Sequence, residues 1–483
     1  MIDLDLCYLS ARSALKLFSS RDLSPVELMN AVLRRIESVN GPINAFGDCY
    51  FESALAQAQE AERRWFSGTA RTLEGVPLAV KDAQNVKGQR TTYGSPAYRD
   101  NIAPRSDPMI ERLLAAGAII HARTTVSEFC FSGVCTSSMW GTTTNPWNAD
   151  LSPGGSSGGS GAALAAGMTL LATGTDMGGS IRVPASACGV VGYKPPHGRN
   201  PDAPPFNLDR LNHCGPLARC VGDVSLVQNI VAGQHALDHD SLHDALTYPS
   251  APQDLPGLRI AWSPDLGYRV VDGEVRRNTE QAIARFRDLG CSTQEVKLDW
   301  SEEIDVIVGD WYKSAPFGQM ILRAARKTPD LLSSDLQRLA KLWQGTSSSI
   351  APVLELIGRM SERFSAVMEG FDAFMCPTMS VPAVPAAQSM WDDDFRIEGK
   401  RVDPEYGYSM THQFNLLGNC PAISIPSGLS SSGVPTGLQI VGRPFDDLTV
   451  IRTAWAFETA TGPWYAHDRA RPRLPLNVNQ PTQ

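Results

Sequence analysis

The chain has no run of five or more like charges and no basic arm, although its net charge is −8. Nucleic acid therefore has no electrostatic footprint here and is not expected as a partner. The start, Met1-Ile2-Asp3-Leu4-Asp5, lacks the basic and apolar regions of a secretory signal. The longest small-apolar run, about 162–173, is too short and too glycine-interrupted to span a bilayer, so no membrane association is expected. Ten cysteines are scattered without a C-x-x-C pair or zinc spacing. That pattern excludes a small disulfide scaffold and fits reduced thiols in the cytoplasm. The phosphate-loop pattern and the G-x-S-x-G elbow are both missing, and there is no internal repeat. No metal and no cofactor are expected. Asp392-Asp393-Asp394 reads as a solvated loop, with a metal site as the minor alternative.

What is present is a globular composition, 42% hydrophobic and 19% charged, over 483 residues, enough to bury a large core. Ser24-Pro25-Val26-Glu27 is a capping box with proline at the first helical position. The helix it starts carries Leu28, Val32 and Ile36 on one face, and a second helix is predicted over 52–66. These form an N-terminal helical layer, taken as residues 1–70. Further on, strands at 75–82, 118–121 and 169–173 alternate with helices at 107–116 and 160–167. Later strands are predicted at 258–262, 293–298, 371–378, 420–426 and 437–442, and later helices at 273–289, 300–370 and 450–459. This alternation predicts an α/β fold with a mixed or parallel sheet. His235, His239 and His243 stand at four-residue spacing and are expected on a solvated helix rather than at zinc.

The chemistry concentrates between Ser152 and Pro184. Two glycine-flanked serine clusters stand there, Gly154-Gly155-Ser156-Ser157-Gly158-Gly159 and Gly178-Gly179-Ser180, and the segment contains no histidine. A serine needs a base to become a nucleophile, and Ser-Lys variants of the triad supply one. Lys81, at the end of an apolar strand, is the candidate; the alternative is a lysine paired with Asp82. Residues 177–180 offer successive backbone N–H groups with little side-chain bulk. They can form an oxyanion hole or simply a tight strand exit.

These motifs resemble the amidase signature family, the Ser-Ser-Lys amide hydrolases. The resemblance covers nearly the whole chain. It rests on GVPLAVKD (75–82), TTVSEF (124–129), GTTTNPW (141–147), SPGGSSGGSGAALAAG (152–167), GTDMGGSIRVPASACGVVGYKP (174–195), GPLAR (215–219), and FNLLGNCPAISIPSG with GVPTGLQIVGRPF (414–445). It implies an α/β fold with a single large mixed β-sheet covered by helices on both faces. It also implies a catalytic domain over 71–475, with variable substrate-pocket insertions at about 300–400, and a tail over 476–483. By the same resemblance Ser180 matches the nucleophile, Ser156 the bridging serine and Lys81 the base. The amides of Met177, Gly178, Gly179 and Ser180 match the oxyanion hole. Asp176 and Arg182 match supports of the nucleophile loop. Cys130 aligns with a substrate-pocket position of some relatives, as Ser156 also does, or is a buried structural thiol.

The expected activity is hydrolysis of a carboxylic amide with an aryl or apolar group. Carbamate or aryl ester hydrolysis by the same triad is one alternative. Another is a protein like the amide-hydrolysing subunit of an amidotransferase. A small-molecule amide or carbamate is the expected partner, and a homodimer is compatible with the sequence. Segments near 130–140, 200–213, 310–350 and 380–400 are expected to line the pocket through Trp140, Phe206, Trp311, Tyr312, Phe317, Trp343 and Trp391.

Overall fold

The computed structural model describes residues 3–244, 246–255, 257–346, 349–465 and 471–474. Eleven strands form one sheet, numbered here in chain order. They are β1 (Phe46–Cys49), β2 (Pro77–Lys81), β3 (Ile119–Thr124), β4 (Leu171–Asp176), β5 (Val191–Lys194), β6 (His213–Ala218), β7 (Arg259–Trp262), β8 (Ser292–Glu295), β9 (Ala373–Pro377), β10 (Ala422–Leu429) and β11 (Pro435–Gly442). Their spatial order is β1-β3-β2-β4-β6-β5-β10-β11-β9-β7-β8. The β3–β2–β4 group is parallel, as is β9–β7–β8, and the strands between pair antiparallel. The sheet is therefore mixed, as expected.

Both faces are covered, and strand alternation decides which residue meets which layer. In β9, Ala373 and Met375 enter one buried cluster while Phe374 and Cys376 enter the other. In β11, Leu438 and Ile440 face the first and Val441 the second. The first cluster packs beneath the helices Pro25–Ile43, Phe51–Ser67, Val221–Val231, Gly273–Asp288 and Asp447–Thr461. The second packs beneath Glu303–Ser314, Pro316–Lys327, Ser334–Trp343 and Ala351–Met368. Among the described residues no helix is long and apolar enough to cross a membrane.

The Ser24 capping box forms as read: Ser24 Oγ accepts from the Val26 amide at 3.0 Å and Glu27 reaches back to the Ser24 amide at 2.8 Å. Two readings change. The segment carrying His235, His239 and His243 is a series of turns, not a helix. Local bonds explain this: the His235 amide donates to Ser241 Oγ, and Asp238 accepts from the Asp240 amide. Such side-chain-to-backbone bonds compete with the helical ladder. The strand predicted at 169–173 instead runs from Leu171 to Asp176, because Gly174 continues the ladder opposite Gly215. The predicted tail, 476–483, lies outside the described residues.

Ile440 is fully buried at the centre of the sheet. Ile440→Ala is expected to destabilise the fold by about 2–5 kcal/mol. Ser24→Ala, which removes only the cap, should cost about 1 kcal/mol. Denaturant unfolding of the two variants should give midpoints in that order.

Candidate active site

The parallel pair β2 and β4 ends both strands at the same edge of the sheet. Lys81 closes β2, and Thr175 and Asp176 close β4. All five β2 residues are buried, so the lysine stem runs through apolar surroundings and its ammonium end is shut off from water. Burial pulls the Lys81 pKa below the ordinary lysine value, favouring the neutral amine. Nζ lies 2.7 Å from Ser156 Oγ and 2.8 Å from Thr175 Oγ1. The alternative pairing with Asp82 does not form. That carboxylate turns to the Thr92 amide at 2.8 Å and to Trp140 Nε1 at 2.8 Å.

Ser156 follows a cis peptide bond from Gly155. The Ser157 amide donates to the Ser180 carbonyl at 3.2 Å, which joins the two serine clusters. Gly155 is required by close approach: a Cβ there would stand 2.5 Å from the Ser132 carbonyl.

The nucleophile loop is folded around one buried carboxylate. Asp176 accepts from the Gly179 amide (2.8 Å), the Ile181 amide (3.2 Å), Arg182 Nε (2.9 Å) and Arg182 Nη2 (2.8 Å). Burial opposes its ionisation, but Arg182 and Asn415 outweigh that and hold its pKa well below the usual carboxylate range. Arg182 continues to the Thr411 carbonyl at 3.0 Å, and Thr411 Oγ1 donates to the Gly178 carbonyl at 2.6 Å.

This geometry corrects one expected member of the oxyanion hole. The Gly179 N–H is committed to Asp176, so it points into the loop rather than at a substrate. Among the described residues the amides of Met177, Gly178 and Ser180 have no protein acceptor. They remain as candidate donors. Gly179 is needed instead for its backbone angle, φ +130°, a region side chains rarely adopt.

Met177 to Ser180 line a cavity that opens to solvent, with about 550 Å³ of empty space when the adjoining open solvent is included. Cys130 lines it as well, its thiol against both Ser156 and Lys81. Phe129 and Cys130 both have left-handed backbone, φ 52° and 59°, a strained pair that turns the thiol to this position. Burial pushes the Cys130 pKa up, favouring the protonated thiol.

Of the seven aromatic residues expected to line the cavity, Tyr312 does so. The others pack elsewhere. Trp140 caps Asp82, Trp311 Nε1 donates to Asp209 at 2.8 Å, and Phe206 lies against Phe317 with centroids 4.6 Å apart. Trp343 sits edge-on behind Phe131, and Trp391 Nε1 donates to the Asp335 carbonyl at 3.3 Å. The sequence reading missed a further set of lining residues, Glu405, Tyr406, Tyr408, Ser409 and His412. The available signal was the ionisable and aromatic run directly before the FNLLGN anchor. Glu405 accepts from the Gly133 amide at 2.9 Å and from Ser132 Oγ at 3.2 Å, and burial pushes its pKa up to about 7. His412 Nε2 lies 2.8 Å from Asp305 Oδ1, and Arg269 clamps that carboxylate at 2.7 and 2.8 Å.

Known proteins resemble this chain over most of its length. The family model described as Amidase matches residues 27–451. An acylamidase of Rhodococcus erythropolis is 33% identical over 473 residues, covering 96% of this chain and 98% of that protein. A glutamyl-tRNA(Gln) amidotransferase subunit of Trichlorobacter lovleyi is 34% identical over 478 residues, covering 92% and 95%. Among solved structures, a bacterial aryl acylamidase of the amidase signature family superposes with a TM-score of 0.87 at 28% identity, covering 95% of this chain and 97% of that one. The match along the chain and the shared fold lead to one assignment: the chain belongs to the amidase signature family and is a hydrolase of amide carbon–nitrogen bonds.

Proposed function

We propose that the enzyme hydrolyses carboxylic amides bearing an aryl or otherwise apolar group, through an acyl-enzyme on Ser180. The observation that carries this reading is a buried lysine amine 2.7 Å from Ser156 Oγ, with no carboxylate among the described residues paired to it. Neutral Lys81 takes a proton from Ser156 as Ser156 takes the proton of Ser180. Ser180 Oγ attacks the carbonyl carbon. The resulting oxyanion is held by the amides of Met177, Gly178 and Ser180, each such donor being worth about 3 kcal/mol. Lys81 returns its proton through Ser156 to the departing nitrogen, and the amine leaves. Water, deprotonated along the same relay, then releases the acid and restores Ser180.

Two observations favour an amidase acting on free small molecules over glutamine-dependent amide transfer. The cavity is walled by Phe131, Met177, Val183, Tyr312, Tyr406 and Tyr408, which suits an aryl or apolar group. Glutamine carries an α-carboxylate, and among the described residues no lysine or arginine lines the cavity to receive it.

Ser180→Ala is expected to lower turnover of aryl amides by about 10⁴-fold or more and to abolish labelling by a serine-reactive phosphonate. Undiminished labelling of that variant would remove Ser180 from the role. The pH profile has a defined sign. Protonated Lys81 cannot accept from Ser156, so kcat/KM should rise with pH through the lowered Lys81 pKa and then level off. Lys81→Met, which keeps the apolar stem, should flatten that limb along with the loss of rate. A wild-type profile that falls over the same range would contradict a lysine base.

A further inference from the structure

Among the described residues, Glu405 is the only carboxylate that lines the cavity with Ser180. No described lysine or arginine pairs with it. Its partners are the Gly133 amide and the Ser132 hydroxyl. An ionised carboxylate offers about four lone-pair sites, and these two donors fill two of them. A carboxylate drawn out of water with only neutral donors around it is poorly compensated, and a cation is the complement it lacks.

The surroundings suit one kind of cation. Tyr312 and Tyr406 stack with ring centroids 6.1 Å apart, and Tyr408 lines the same cavity. Ring faces attract ammonium groups, and several rings around a carboxylate combine that attraction with a charged hydrogen bond. The Tyr408 hydroxyl is buried and has no partner among the described residues. A bound carboxylate would meet repulsion in this place, and a metal ion would prefer more oxygen ligands than Glu405 alone supplies.

We propose that Glu405, with the rings of Tyr312, Tyr406 and Tyr408, forms an ammonium subsite in the catalytic cavity, so that the preferred substrate is an amide carrying a second, protonated amine away from the scissile carbonyl. Turnover of such an amide rests on the amidase reading of Ser180; binding of its amine does not. The competing account is that Glu405 only clasps the 132–133 segment, in which case its charge is irrelevant to ligand choice.

Three para-substituted benzamides separate the two: 4-(aminomethyl)benzamide, 4-methylbenzamide and 4-carboxybenzamide. In the wild-type enzyme kcat/KM should fall in that order, with the amine favoured over the methyl compound by about tenfold or more. Glu405→Gln keeps an acceptor for the Gly133 amide but removes the charge, so the amine-to-methyl ratio should collapse toward one. A wild-type ratio of one or below overturns the proposal, and so does a ratio unchanged in Glu405→Gln. Should that variant fail to fold, the wild-type order decides alone. Calorimetric binding of the same compounds to Ser180→Ala enzyme gives the order without turnover. Absent hydrolysis with the affinity order intact would sink the amidase reading only; equal affinities would sink the ammonium subsite.

Discussion

The active site depends on the buried ion pair between Asp176 and Arg182. Both side chains are shut off from solvent, and each carries more than the pair itself. Asp176 gathers the Gly179 and Ile181 amides, which sets the path of the chain on either side of Ser180. Arg182 reaches the Thr411 carbonyl and Asn415, which ties the loop to a segment more than two hundred residues later. Desolvating two charges is costly, and such a pair is weak evidence for net stability. Its value here is geometric. Removing one partner would leave a bare charge in the interior, a loss of about 3–5 kcal/mol, so the loop has few alternative conformations.

The second constraint is the dryness of the β2 terminus. A lysine in water is protonated at neutral pH and useless as a base. Lys81 instead has apolar strand neighbours and hydroxyl partners, Ser156 and Thr175, rather than a carboxylate, and burial lowers its pKa. The parallel register of β2 and β4 brings Thr175 to Lys81, and the Ser157–Ser180 bond brings the two serine clusters together. The catalytic arrangement is thus a property of adjacent strand ends and of one short helix-bearing turn.

This explains what was legible in the sequence. Lys81, Ser156, Ser180, Asp176 and Arg182 lie in short motifs where a strand end or a glycine-flanked turn dictates local geometry; the structure joins Lys81 to Ser156 and Asp176 to Arg182, and a Ser157–Ser180 backbone bond links the two serine clusters. The mixed sheet was readable because apolar strands alternate with helical periodicity. The direction of an individual N–H was not: whether Gly179 faces a substrate or Asp176 depends on where a carboxylate three residues earlier turns. The cavity walls were harder still. Aromatic residues such as Trp311 and Phe317 have the composition of a pocket but are held inside the second buried cluster. Glu405 and His412 come from an irregular segment whose orientation is fixed by Asp305, Ser132 and Gly133, none of them near in sequence.

Thr411 has a consequence of its own. Its hydroxyl holds the Gly178 carbonyl, its own carbonyl holds Arg182, and its neighbour His412 belongs to the wall that faces the ligand. The cavity lining is therefore spliced directly to the residue that holds the loop bearing Ser180. A substitution at 411 would shift the lining and that loop together, so the two cannot be adjusted independently at this point of the chain.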